Sequence, residues 1–99
     1  MTDLATPPTD PIQARNYAEL YSLWKQLSDQ RDTGYDMERG AFERWDTQVK
    51  SLLGKDELAR FEQPFRPHRP LDRDPIQDAR VPHLNKILRA RQGWEKLDE

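Results

Sequence analysis

The chain has 99 residues, of which 34% are charged, and its 16 Lys and Arg against 18 Asp and Glu give a net charge of −2. A chain of this length forms one domain at most, with a core of modest size. It contains no cysteine, which excludes disulfide frameworks, thiolate metal sites and cysteine nucleophiles.

The N-terminal residues 1–9, "MTDLATPPT", hold little that a fold could bury. They lack the basic residues and the apolar run of a signal peptide, and no apolar run in the chain approaches the length of a membrane span. We therefore expect residues 1–9 to form a mobile tail, on a cytoplasmic protein without a membrane partner.

One short motif occurs twice, as "DPIQAR" from Asp10 and as "DPIQDAR" from Asp74. Asp is a good N-cap, Pro fits the first helical position, and the Gln that follows can bond back to the cap in a capping box. Each copy therefore predicts a helix start, with Gln13 and Gln77 completing the cap. The alternative is a duplicated recognition motif, but no third copy and no shared downstream period support it.

Two helices are predicted between the copies, because apolar residues fall on one helical face in each stretch. The first should end near Thr33, since Gly34 suits the left-handed residue that ends a helix. The second should begin at the N-cap Asp36 and end at Gly54. A short loop joins them, so we expect an antiparallel hairpin. Its predicted aromatic seam consists of Tyr17, Tyr21, Trp24, Phe42 and Trp45.

Residues 55–63 predict a short third helix, or a continuation of the second after a kink, with Leu58 and Phe61 on one face. This completes a helical unit over residues 10–63. Residues 64–75 contain four prolines and predict an extended, polyproline-like connector. The stretch "PFRPHR" within it fits P-x-x-P-x-R, a pattern of ligands for aromatic grooves. The alternative is a stiff spacer.

Residues 76–99 predict a C-terminal amphipathic arm. Pro82 should interrupt it, as the first-turn residue of a last helix. The apolar face of that helix either packs back on the hairpin or stays available to a partner; it comprises Leu84, Ile87, Leu88, Trp94 and Leu97. With only five Val and Ile in the chain and no alternating pattern, the predicted class is all-α.

Candidate catalytic and metal-binding groups are few. Neither His68 nor His83 has a second ligand at helical spacing, so we expect no metal site and no cofactor. The carboxylate pairs lie among Lys and Arg on polar faces, and no serine stands in a nucleophile motif or a glycine-rich loop. We therefore expect no enzyme activity and no small-molecule substrate.

The leading hypothesis is a small protein-interaction module, such as an adaptor, accessory subunit or inhibitor, that binds a partner protein or a second copy of the chain. Its expected contacts lie in the connector and the C-terminal arm: Phe65, Arg66, Arg69, Leu84, Leu88 and Trp94. The alternative is a nucleic-acid-associated factor, because residues 66–91 carry seven Lys or Arg against three Asp. In that case the phosphate contacts would be Lys86, Arg89 and Arg91.

Overall fold

The computed structural model describes residue 4, residues 6–62 and residues 75–93 of the chain. Of the described residues 74% are helical and none lies in a strand, which confirms the all-α class. None of the helices in these ranges is both long enough and apolar enough to cross a membrane. The helices are α1 (Pro11–Ala14), α2 (Tyr17–Asp32), α3 (Arg39–Ser51), α4 (Lys55–Phe61) and α5 (Pro75–Arg91).

The first copy of the repeated motif starts a helix as predicted. The Asp10 carboxylate accepts a hydrogen bond from the Ile12 N–H at 2.9 Å, and Pro11 is the first helical residue. The helix ends after one turn, however, because Asn16 adopts the left-handed conformation with φ 60° before α2 begins. The stretch predicted as one helix, from Asp10 to about Thr33, therefore forms the two helices α1 and α2. At the far end of α2, Gly34 has φ 84°, in agreement with the predicted helix end.

The C-terminal helix α5 packs on α2 and α4 and forms much of the core. Arg31 near the end of α2 bonds Asp78 near the start of α5, at 2.8 Å, so the two helices run antiparallel. The predicted arrangement, a hairpin with a separate arm, is not confirmed. The side chains that are fully excluded from solvent come from α2, α3, α4 and α5: Tyr17, Leu20, Leu27, Trp45, Val49, Phe61, Leu84, Ile87 and Leu88.

The predicted break at Pro82 is wrong, because α5 continues through it from Pro75 to Arg91. A proline inside a helix costs about 3 kcal/mol, since it removes one backbone hydrogen bond and crowds the preceding turn. Ala79 before it and Leu84 after it are both buried, so a break would expose apolar surface on two sides. The Trp24 indole also donates to the Val81 carbonyl at 3.2 Å, which ties this turn to α2.

The aromatic residues predicted as a seam lie in or against the core. Tyr17 and Trp45 are buried, whereas Tyr21, Trp24 and Phe42 are partly buried and pack against the buried cluster. The Trp45 indole donates to the Leu23 carbonyl at 2.7 Å, which joins α3 to α2.

Asp36 does not cap α3. That helix begins at Arg39 with Glu38 as its N-cap, and the Asp36 carboxylate instead accepts a hydrogen bond from Arg31 Nη1 at 2.6 Å.

The second copy of the motif starts α5 at Pro75, and the capping box predicted there involves Asp74, which lies outside the described residues. Gln77 is buried, and its side-chain amide pairs with the backbone of Met37. The Met37 N–H donates to Gln77 Oε1 at 2.8 Å, and Gln77 Nε2 donates to the Met37 carbonyl at 3.0 Å. Gln77 thereby holds the loop after α2 against the start of α5.

Gln77→Ala should lower the free energy of unfolding by about 1–3 kcal/mol, because it leaves two buried backbone groups of Met37 without partners. Gln13→Ala is the matched control, since Gln13 has the same place in the first copy and forms no hydrogen bond with the described residues. Its effect should stay below about 0.5 kcal/mol. Urea denaturation of the two variants measures both effects. Equal effects would contradict the assignment of Gln77 as the residue that holds the Met37 backbone.

The contact between α4 and α5 is centred on the Phe61 carbonyl. Arg80 Nη1 donates to it at 2.6 Å, and the Arg80 guanidinium lies 4.5 Å from the centroid of the Phe61 ring. His83 Nδ1 lies 3.2 Å from the same oxygen. Burial lowers the pKa of His83 and the Arg80 charge lowers it further, although the Phe61 carbonyl opposes both effects.

The lowered pKa of His83 predicts a pH-dependent stability. The unfolded chain binds a proton at His83 near pH 6.5, whereas the folded chain binds it only at lower pH. The free energy of unfolding should therefore have its full value above about pH 6.5 and should decrease as the pH falls toward the pKa of His83 in the folded chain. Urea titrations between about pH 7.5 and 5.5 should show this decline in the unchanged chain and not in His83→Gln. An equal decline in both would assign the effect to another group.

Candidate protein-interaction groove

An open groove of about 800 Å³ lies where four helices meet. One side is formed by α1 and the two residues that follow it, the other by the end of α3 and the first turn of α4, and the floor by the end of α5. We refer to it as the junction groove. Its lining comprises Ile12, Gln13, Arg15, Asn16, residues 51–57, Ala90 and Arg91.

The apolar part of the junction groove has an exposed edge. Ile12 is 81% exposed on one side, and Leu52 and Leu53 are half-buried on the other. The leucines are placed by the tight turn after α3, in which their N–H groups bond back to Val49 and Lys50 carbonyls at 3.0 and 3.3 Å. Isolated exposed apolar residues are common on proteins, but Ile12 borders a concave surface that contains further apolar groups.

Arg91 fixes the walls of the junction groove relative to one another. Its Nε and Nη2 donate to the two carboxylate oxygens of Glu57 at 2.7 and 2.8 Å, and Nη2 also donates to the Leu52 carbonyl at 3.0 Å. Its Nη1 donates to the Arg15 carbonyl, just before α2. The planar guanidinium suits this arrangement, because several donors in one plane reach acceptors on different segments.

The Glu57 carboxylate remains charged beside Arg91. Its burial acts to raise the pKa, but the hydrogen bonds from Arg91 and from the Gly54 N–H, together with the Arg91 charge, outweigh burial and lower the pKa below its ordinary value. The bond from Gly54 is 2.9 Å long and also caps the start of α4. The same carboxylate thus holds the helix start and the arginine.

The rim of the junction groove carries a surplus of positive charge. Glu57 and Arg91 neutralise each other, which leaves Arg15 and Lys55 against the single carboxylate of Asp56. All three of these side chains belong to exposed residues, and neither Arg15 nor Lys55 forms an ion pair within the described part of the chain. Apolar side chains on both sides of the groove, together with a cationic rim, suit a segment that offers both apolar and acidic side chains.

The structure places two of the predicted contact residues in the interior. Leu84 and Leu88 are 0% exposed, so they stabilise the chain's own fold and present no surface to a partner in this arrangement. The helical periodicity identified their apolar face correctly, but α2 and α4 cover that face. The other four predicted contacts lie outside the described residues: Phe65, Arg66, Arg69 and Trp94.

Of the three residues predicted to bind phosphate, Arg91 is engaged in the fold. Arg91 is 8% exposed and its guanidinium is engaged by a carboxylate and two carbonyls. Arg89 Nε donates to Asn85 on its own helix at 3.0 Å. Lys86 is half-buried. Arg91 is therefore a structural arginine, and the phosphate contact assigned to it is not supported.

Sequence reasoning did not identify Ile12 as a binding residue. The motif around Ile12 predicts a helix start, which the structure confirms, but it does not indicate that the isoleucine side chain is exposed. The signal in the sequence is the isoleucine that both copies of the motif share. In the structure this isoleucine is exposed in both copies, at 81% for Ile12 and 53% for Ile76.

Within residues 6–62 and 75–93, no group of three or more His, Asp and Glu side chains is arranged to hold a metal ion. No model of a known protein family matches the chain, and neither a curated protein nor a solved structure matches it. The geometry of the groove is therefore the basis of the functional interpretation.

Proposed function

We propose that this chain is a non-enzymatic protein-interaction module, an adaptor, accessory subunit or inhibitor, that binds a segment of a partner protein in the junction groove. The observation that carries the proposal is Ile12, an 81% exposed apolar side chain at the edge of a concave surface. The partner segment supplies an apolar side chain to the groove and a carboxylate to Arg15 or Lys55.

The expected energetics favour this kind of contact. Full burial of an apolar side chain the size of Ile12 contributes about 1.5–3 kcal/mol. Arg91 already fixes the walls, so binding orders few additional groups and more of the contact energy is retained. The cationic rim would chiefly raise the association rate and select acidic segments.

The predicted contacts outside the described residues remain part of the proposal. Phe65, Arg66 and Arg69 in the proline-rich sequence, with Trp94 near the C-terminus, would extend the contact beyond the groove. The nucleic-acid alternative has less support, because Arg91, one of its three phosphate contacts, is engaged in the fold.

Site-specific photo-crosslinking tests the proposal. A benzophenone amino acid is placed at position 12, at position 56 on the rim, and at position 18 as control, since Ala18 is exposed on α2 and does not line the groove. In the cells that make the protein, positions 12 and 56 should capture the same partner, and position 18 should not.

Capture of the same protein from position 18 with equal yield would contradict the junction groove as the site. Loss of the captured material on nuclease treatment would contradict the protein-interaction proposal and favour the nucleic-acid alternative.

A further inference from the structure

A second, smaller groove of about 530 Å³ lies at the opposite end of α2 from the junction groove. It is formed by the loop that follows α2, the first turns of α3 and the start of α5. We refer to it as the acidic groove. Its lining comprises Asp36, Met37, Glu38, Arg39, Phe42, Glu43 and Gln77.

Contacts within the chain hold the floor of the acidic groove in place. The backbone of Met37 is held on both sides by Gln77, and Gln77 Oε1 also accepts from Arg31 Nη1 at 3.1 Å. The Phe42 ring stacks on Trp45 with centroids 5.6 Å apart and an interplanar angle of 16°. These contacts fix the floor, so a ligand would not need to order it.

Three carboxylates and one arginine line the acidic groove. Asp36 is paired with Arg31 at 2.6 Å. Glu43 is paired with Arg39 at 3.3 Å, but the two side chains are 66% and 93% exposed, and an ion pair so exposed is weak and screened by salt. Glu38 is exposed and pairs with no cation in the described ranges. The groove therefore retains unneutralised negative charge.

The apolar part of the acidic groove is formed by Met37 and by the half-buried Phe42. Two exposed apolar residues lie next to lining residues in the sequence: Tyr35, 75% exposed, directly precedes Asp36, and Ile76, 53% exposed, directly precedes Gln77. Ile76 is the isoleucine of the second motif copy, as Ile12 is of the first. Each copy of the repeated motif thus carries an exposed isoleucine, but only Ile12 lines a groove; from the second copy it is Gln77 that lines the acidic groove.

The geometry points to the acidic groove as a second docking site, which takes a segment of a partner protein that carries Arg or Lys next to an apolar side chain. Charge complementarity to Glu38 and Glu43, and the apolar lining at Phe42, select this partner chemistry. The inference goes beyond the proposed function, because the site shares no residue with the junction groove. The module would then hold two segments of opposite charge at opposite ends of α2.

The test uses the full chain, labelled with ¹⁵N, and a short peptide in which arginine alternates with leucine around one tryptophan. Backbone amide shifts should move at Met37 and Gln77 and remain unchanged at Ala90 on the floor of the junction groove. Glu38→Lys should weaken binding at least about fivefold, which corresponds to about 1 kcal/mol at 1.4 kcal/mol per tenfold.

Glu19→Lys is the matched control, since Glu19 is an exposed carboxylate on α2 outside both grooves. It makes the same charge change and should alter binding less than about twofold, within the small effect expected of a distant charge. Equal weakening by Glu19→Lys and Glu38→Lys would overturn the inference in favour of non-specific attraction. Equal binding of a peptide with glutamate in place of arginine would also overturn it. Neither result affects the crosslinking expected at position 12. The acidic-groove inference can therefore be wrong while the proposal for the junction groove stands, and the reverse.

Discussion

Replacing Arg91 with Ala should lower the free energy of unfolding by about 3–5 kcal/mol, the cost of removing one member of a buried ion pair. The loss leaves the Glu57 carboxylate, whose side chain is 16% exposed, without its cation. It also removes donors from the carbonyls of Leu52 and Arg15. A domain of this size is stabilised by about 5–15 kcal/mol in total, so the variant should be close to unfolding.

Urea denaturation followed by circular dichroism checks this expectation, and the midpoint should fall by more than about 1 M. Arg89→Ala is the matched control on the same helix, because the Arg89 side chain bonds only Asn85 among the described residues. Its effect should stay below about 1 kcal/mol. If the two variants were equally stable, Arg91 would not be the residue that joins the walls of the junction groove.

Replacing Leu88 with Ala should lower the free energy of unfolding by about 2–5 kcal/mol, because it opens a cavity in the core between α5 and its neighbours. Leu88 is 0% exposed, whereas Ile76 on the same helix is 53% exposed. Ile76→Ala should therefore change stability by less than about 0.5 kcal/mol.

Thermal or urea unfolding of both variants distinguishes a core residue from a free contact residue. If Leu88 is a core residue, Leu88→Ala should lose much of its free energy of unfolding and Ile76→Ala should lose almost none. Unchanged stability of Leu88→Ala would mean that α5 does not pack on α2 and α4 in solution, and would restore the free-arm interpretation of the sequence.

The features that sequence reasoning predicted correctly depend on neighbouring residues. The Asp10 cap, the glycine turn at Gly34 and the helix start at Pro75 are each specified by a few consecutive side chains. The same reasoning joined α1 to α2, because Asn16 carries only a weak preference for the left-handed conformation. The same reasoning predicted a break in α5 at Pro82. The burial of Ala79 and Leu84 on either side of the proline, which keeps the helix continuous, cannot be read from a local sequence pattern.

The features that it missed depend on partners distant along the chain. Gln77 bonds Met37, 40 residues away, and Arg91 bonds Glu57, 34 residues away. The sequence shows that Arg91 is a cation but does not show that Glu57 lies beside it in the fold. The sequence therefore predicts that Arg91 is one of the residues that bind phosphate. The junction groove is built from four helices, and for this reason no single stretch of sequence indicates it.

The most direct test of the protein-interaction account is a calorimetric titration of the partner captured through position 12. The titration compares the unchanged chain with Ile12→Asp and Ile76→Asp, two exposed isoleucines at opposite ends of α2 that receive the same substitution. The account predicts at least about a tenfold loss of affinity, or about 1.4 kcal/mol, for Ile12→Asp alone. Unchanged affinity of Ile12→Asp, with its fold intact by circular dichroism, would contradict the junction groove as the binding site.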